Sequence, residues 1–167
     1  MGQLTGLLNV RTDELPDRVS ALVSRLRDAE KELAQLRQAQ LLAVAGTLAA
    51  GAELVGGTRV VVHDAGEVAS ADDLRALALD VRGRLGEADP TVVAVGGVAK
   101  GRPQVVVVTN ASARAAGLRA GVLAKAAAQT LGGGGGGKDD MAQGGGTDAS
   151  ALPAALQGVR DGVAAAA

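Results

Sequence analysis

The stretch from Leu131 to Gly146, LGGGGGGKDDMAQGGG, constrains the fold of this chain more than any other feature. Glycine loses more backbone freedom on folding than any other residue, so an ordered run of this length must be offset by something that only glycine allows. That is either close approach of the backbone to a ligand or to another element, or the run is a flexible linker. Its flanks bear on the choice. GLRAGVLAKAAAQTL (117–131) precedes the run, with Leu118, Val122, Ala126 and Leu131 available for burial, and ASALPAALQGVRDGVAAAA follows, with Leu152, Leu156, Val159 and Val163 at helical spacing. Two helices that pack on the same sheet argue against a linker between independent domains. Gly132 stands where a helix C-terminus takes a glycine.

The rest of the composition narrows the chemistry. Hydrophobic residues make up 47% of the 167, enough for a folded core, but they are almost all Ala, Val and Leu, with no aromatic residue. The core is therefore built of small aliphatic groups, and no ring is available to stack on a base. There is no cysteine and a single histidine, His63, which excludes a disulfide framework and the usual zinc sites. No metal or cofactor is expected. The start MGQLTGLLNV has no basic n-region, and no long apolar run follows, so a soluble cytoplasmic protein without membrane contact is expected. Net charge is only -1, yet the signs are segregated. From Pro90 to Lys138 stand Lys100, Arg102, Arg114, Arg119, Lys125 and Lys138 and no acid, a candidate polyanion-binding half that ends at the glycines.

Pro16, behind Thr12 and Asp13, marks a helix start. Val19, Leu22, Leu26, Ala29, Leu33 and Leu36 then alternate by three and four, a heptad seam between strongly polar faces. A helix from about Pro16 to about Ala50 is roughly 50 Å long and needs a partner surface for that seam. Gly51, Gly56 and Gly57 break it. Beyond, RVVVH (59–63) reads as a strand and SADDLRALALDVRGRLG (70–86) as an amphipathic helix. Ser70 and Asp73 form a weak capping box there, and Leu74, Leu77, Val81 and Leu85 line its apolar stripe. TVVAVGG (91–97) and QVVVVTN (104–110) are further strands about the turn VAKGRP. The first two strands with their crossover helix make a parallel pair, and the last two a hairpin. The expected class is α/β: a long N-terminal coiled-coil-like arm (1–51) followed by a small mixed-sheet globular domain (52–167).

The run GGGGGGKDDMAQGGG, preceded by a helix carrying AGVLAKAAAQTLG, resembles the glycine-rich signature of the C-terminal domain of bacterial alanyl-tRNA synthetases, a class that also accompanies the DHH phosphoesterase catalytic domain. The heptad helix after ELPDRV, the GGTRVVVHDAG strand and the VAVGG and VVVVTN strands fall in the matching order, so the resemblance extends over the chain from about Leu15. It implies a non-catalytic module, a fragment of a larger ligase: the arm dimerises the synthetase, and the α/β part contacts the elbow of alanine tRNA. It supports aminoacylation and editing carried by other domains. Lys138-Asp139 stands where the family commonly has Arg-Pro, which leaves a positive charge there but no bidentate guanidinium.

On that reading the phosphate contacts fall to Lys100, Arg102, Arg114, Arg119, Lys125 and Lys138. The loop of Gly132, Gly133, Gly134, Gly135, Gly136 and Gly137 lets RNA approach the backbone, its N–H groups forming an anion nest. Asp140 and Gln143 would tie that loop to its own backbone, with Met141 plugged into the core. Val19, Leu22, Leu26, Ala29, Leu33 and Leu36 form the dimer seam. His63 reads as structural, and Asp64, Asp72 and Asp73 as capping and solvated groups. Two alternatives stand beside it: an oligomerisation module with little affinity for RNA, and the nucleotide-binding half of a DHH-type phosphoesterase, whose catalytic aspartate motif is absent from this sequence.

Overall fold

The computed structural model describes residues 2–9 and 11–167; Met1 and Val10, both within the expected arm, lie outside the described residues. The chain divides into two compact units, 1–39 and 40–167. The first holds a short helix α1 (Gly2–Leu8), which has no strong signal in the sequence, and most of the long helix α2 (Leu15–Ala50), which starts with Pro16 in its first turn as expected. Within this unit the heptad seam is solvent-exposed: Val19, Leu22, Leu26, Leu33 and Leu36 are all open, as is Ala29.

The second unit is a six-stranded mixed sheet with helices on both faces. Its strands are β1 (Glu53–Val55), β2 (Thr58–Val68), β3 (Thr91–Ala99), β4 (Arg102–Thr109), β5 (Gly134–Gly137) and β6 (Met141–Gly145), in spatial order β1-β2-β3-β4-β6-β5. Between β2 and β3 runs α3 (Ala71–Leu85), and the two strands are parallel, as a strand–helix–strand crossover requires. All other pairings are antiparallel. Ser70 caps α3 and its N–H donates to Asp73 Oδ2 at 3.2 Å. Leu74, Leu77 and Val81 are fully buried and Leu85 partly so. After β4 come α4 (Ala111–Ala115) and α5 (Ala120–Thr130), and the chain closes with α6 (Leu152–Ala166), whose Leu152, Leu156, Val159 and Val163 are buried.

One apolar cluster joins α5 and α6 to one side of the sheet, through Val60, Val92, Val105 and Val107. The other joins α3 and the last turns of α2 to the opposite side, through Val61, Val93, Val95, Val106 and Val108, with Ala45 buried and Leu41 and Leu48 packed against it. With no aromatic residue, valines on alternating sides of the central strands supply both layers.

Three expectations are corrected. Val122 is 64% exposed and Ala126 is also exposed, so the buried stripe of α5 is Leu123, Ala124, Ala127 and Ala128 instead. This stripe is mostly alanine because α5 lies directly on a backbone without side chains. The glycine run is not a loop: it forms the edge strand β5 and, with β6, an antiparallel hairpin added to the sheet beside β4. The run carries no side-chain alternation, so nothing in it announces a strand. Gln143 does not bond its own backbone; its Oε1 accepts from Arg75 Nη2 at 2.7 Å.

Candidate nucleic-acid interface

The glycines of the hairpin fall into two sets that alternate as strand residues must. Gly135 and Gly137 face the α5 side, opposite Gly144 and Ala142. There a Cβ on Gly135 would stand 3.1 Å from Ala128 Cβ and one on Gly144 only 2.6 Å from it, while a Cβ on Gly121 of α5 would meet the Gly137 carbonyl at 3.1 Å. Helix and hairpin thus meet at backbone distance, and any side chain would part them. Gly133 and Gly146 are equally closed, against the Gly145 and Leu131 carbonyls respectively.

Gly134 and Gly136 differ. Their partners across the hairpin are Gly145 and Gln143, which pair in turn with Gln104 and Val106 of β4, placing the row on the α3 side of the sheet. A Cβ on either glycine would meet nothing within 4 Å, and neither has a positive φ. Internal packing and backbone conformation both leave these two positions free to carry a side chain. The result is a patch of exposed peptide groups, bordered by the Gln143 carboxamide, which Arg75 holds, and by Arg75's ion pair to Asp72 at 3.1 Å.

The hairpin is fixed at both ends. At its tip, Lys138 N–H donates to the Met141 carbonyl at 2.9 Å, Thr109 N–H to the Asp140 carbonyl and Ala120 N–H to the Asp139 carbonyl, each at 2.9 Å. At its open end α5 stops with Gly132 at φ 73°, and Thr147 and Asp148 both donate to the Leu131 carbonyl. Met141 is partly buried against the α3-side core, as expected of a plug.

The six basic residues do not gather on one face. Lys100 lies in the β3–β4 turn and Arg102 directly after it, and Arg114, Arg119 and Lys138 lie at the other end of β4, roughly 24 Å away at 3.4 Å per residue. Lys125 stands exposed on the outer side of α5. At the tip end two of the three cations are already engaged: Arg114 Nη1 donates to the Thr109 carbonyl at 3.0 Å and Arg119 faces Asp139 at 3.9 Å, while Lys138 is followed in sequence by Asp139 and Asp140.

The remaining polar groups have internal roles. Asn110, only 1% exposed, accepts from Thr91 N and Ala113 N and donates to the Gly86 and Asp89 carbonyls, so it joins two strand ends to the start of α4. Sequence reading passed over it, although an Asn directly after a valine-rich strand and before an alanine-rich turn is a cap signal. His63 is half-buried, and burial pushes its pKa below the ordinary value, partly countered by Asp64. Asp64 accepts from Gly66 N at 2.9 Å. Among the described residues no cluster of His, Cys, Asp and Glu could hold a metal ion, and no helix is long and apolar enough to cross a membrane.

Comparison with known proteins places this arrangement in context. The DHHA1 domain family matches residues 57–165. Alanine-tRNA ligases of Kineococcus radiotolerans, Kocuria rhizophila and Thermobifida fusca are 63%, 56% and 54% identical over 99%, 96% and 98% of this chain. The chain spans 18% of the length of each of these relatives. Among solved structures, the C-Ala domain of Aquifex aeolicus alanyl-tRNA synthetase superposes with a TM-score of 0.58 at 25% identity, covering 68% of this chain and 97% of that one. A DHH domain described as a member of the s1p family of ribosomal proteins shares the fold, with a TM-score of 0.52 at 15% identity over 92% of this chain and 35% of that one.

Proposed function

The chain belongs to the DHHA1 domain family, and from that premise we propose that it is a non-catalytic, cytoplasmic module of an alanine-tRNA ligase that binds the elbow of tRNA through the glycine hairpin. In the same reading residues 1–51 form a dimerisation arm, residues 52–167 form the tRNA-binding domain, and aminoacylation and editing belong to other parts of the ligase. The observation that carries the proposal is the pair Gly134 and Gly136. Each strand glycine costs about 0.5–1 kcal/mol relative to alanine. Packing accounts for that cost at Gly135 and Gly144, but a Cβ on Gly134 or Gly136 would meet nothing within the chain. A ligand that lies against the exposed peptide groups accounts for it. An RNA backbone or a flat base pair is such a ligand, and without aromatic side chains the protein recognises it by shape and hydrogen bonds.

The exposed seam of α2 supports the arm's role. Burying one leucine fully is worth about 1.5–3 kcal/mol, and four leucines and a valine of the heptad seam stand open.

The test is the double substitution Gly134→Ala and Gly136→Ala, with tRNA affinity and thermal stability measured on the same preparations. A fold that is unchanged or more stable together with affinity reduced at least tenfold is the expected outcome. Unchanged affinity would remove the hairpin face from the interface.

A further inference from the structure

Resting on the tRNA-binding reading, we propose that the nucleic-acid phosphates seat at the β3–β4 turn end of the hairpin, on Lys100 and Arg102, and not at the Lys138 tip. A shallow groove of about 300 Å³ opens there, lined by Arg102, Gln104, Thr147 and the backbone of Gly133, Gly134 and Gly145. Its floor includes the cross-strand pair Gly145 and Gly134, with Gln104 beside it, so a phosphodiester can reach the peptide groups of the two glycines, which carry no Cβ.

Two observations separate this end from the other. The first is electrostatic. Neither Lys100 nor Arg102 takes part in any ion pair among the described residues, and Asp148, next to the groove-lining Thr147, turns its carboxylate to Ser150. At the tip, Arg114 and Arg119 are engaged and two carboxylates follow Lys138. The second is conformational. Lys100 has φ 51° and Gly101 φ 76°, the left-handed pair of a two-residue turn closing Ala99 onto Arg102. Such turns favour Asn-Gly or Gly-Gly, because a residue with a longer side chain is strained at the first position. A lysine held there retains an ammonium group at a conformational cost, two residues before Arg102, which lines the groove and has no ion-pair partner among the described residues.

Lys100→Gly is therefore a diagnostic change: it removes the charge and relieves the backbone. In the K100G/R102Q variant we expect thermal stability at or above that of the unaltered chain. The slope of log K for tRNA against log salt should fall by about 1.4–1.8 and affinity at about 0.1 M salt by roughly tenfold or more. In the R119Q/K138Q variant the slope should stay as it is. A slope unchanged by K100G/R102Q, or reduced by R119Q/K138Q instead, overturns the placement while the tRNA-binding reading stands. Failure of the unaltered chain to bind tRNA at all overturns both.

Discussion

Replacing Gly144 with alanine tests whether the glycines of the hairpin are there to let α5 approach. The new Cβ would stand 2.6 Å from Ala128 Cβ, 3.0 Å from Gly135 Cα and 3.2 Å from the Ala124 carbonyl, so helix and hairpin must separate by about an ångström. Overpacking of this kind costs about 1–3 kcal/mol, offset by about 0.5–1 kcal/mol from the less flexible unfolded chain. The net expectation is a loss of about 1–2 kcal/mol, or a fall in Tm of roughly 3–8 °C for a unit of this size. Ala128→Gly alone should cost about 2 kcal/mol, from helix propensity and the lost buried methyl. The two changes together move one methyl group from helix to strand across the same contact. The double variant should therefore be more stable than the sum of the singles by about 1 kcal/mol or more. Urea unfolding followed by circular dichroism measures all four corners of the cycle. Additivity within about 0.5 kcal/mol, the behaviour of independent sites, would refute the close-packing account.

Leu26→Asp with Leu33→Asp places charges in the heptad seam; sedimentation should show loss of self-association while the unfolding midpoint of the α/β unit stays unchanged. A concentration-independent monomer in the unaltered chain would sink the dimer proposal. Asn110→Ala strands the Thr91 and Ala113 N–H groups and the Gly86 carbonyl, while the Asp89 carbonyl keeps the Thr91 hydroxyl, and should cost about 2–4 kcal/mol in chemical denaturation; a loss below about 1 kcal/mol would mean that water replaces the side chain. His63 has a folded-state pKa below its unfolded one, so protonation favours the unfolded chain. Its contribution is complete above the unfolded value of 6.5 and is lost as pH falls through that value toward the folded pKa. His63→Gln should flatten the thermal midpoint in that range, and an unchanged pH profile would place the dependence elsewhere.

Much of this architecture is legible in the chain. The seam of α2, the β2–α3–β3 crossover, the β3–β4 hairpin and the closing helix α6 each announce themselves by side-chain period, since alternate burial of apolar groups is what makes those elements stable. The GGGGGGKDDMAQGGG run carries its resemblance to alanyl-tRNA synthetase C-terminal domains in order and spacing alone. What the sequence leaves open follows from the absence of side chains. Glycines have no period, so only the register against β6, itself paired to β4, turns six of them into a turn and an edge strand, and only the position of α5 separates those that must be glycine from Gly134 and Gly136, which packing leaves free. In α5 the larger side chain, Val122, suggests the buried stripe, whereas close approach to the hairpin selects Ala124, Ala127 and Ala128. The basic half is contiguous in sequence yet splits in space, because β4 carries its two ends to opposite ends of the sheet. Composition and period determine which elements exist here; which backbone stays open to a partner, and which cations remain unpaired beside it, is decided only when the sheet brings distant segments into register.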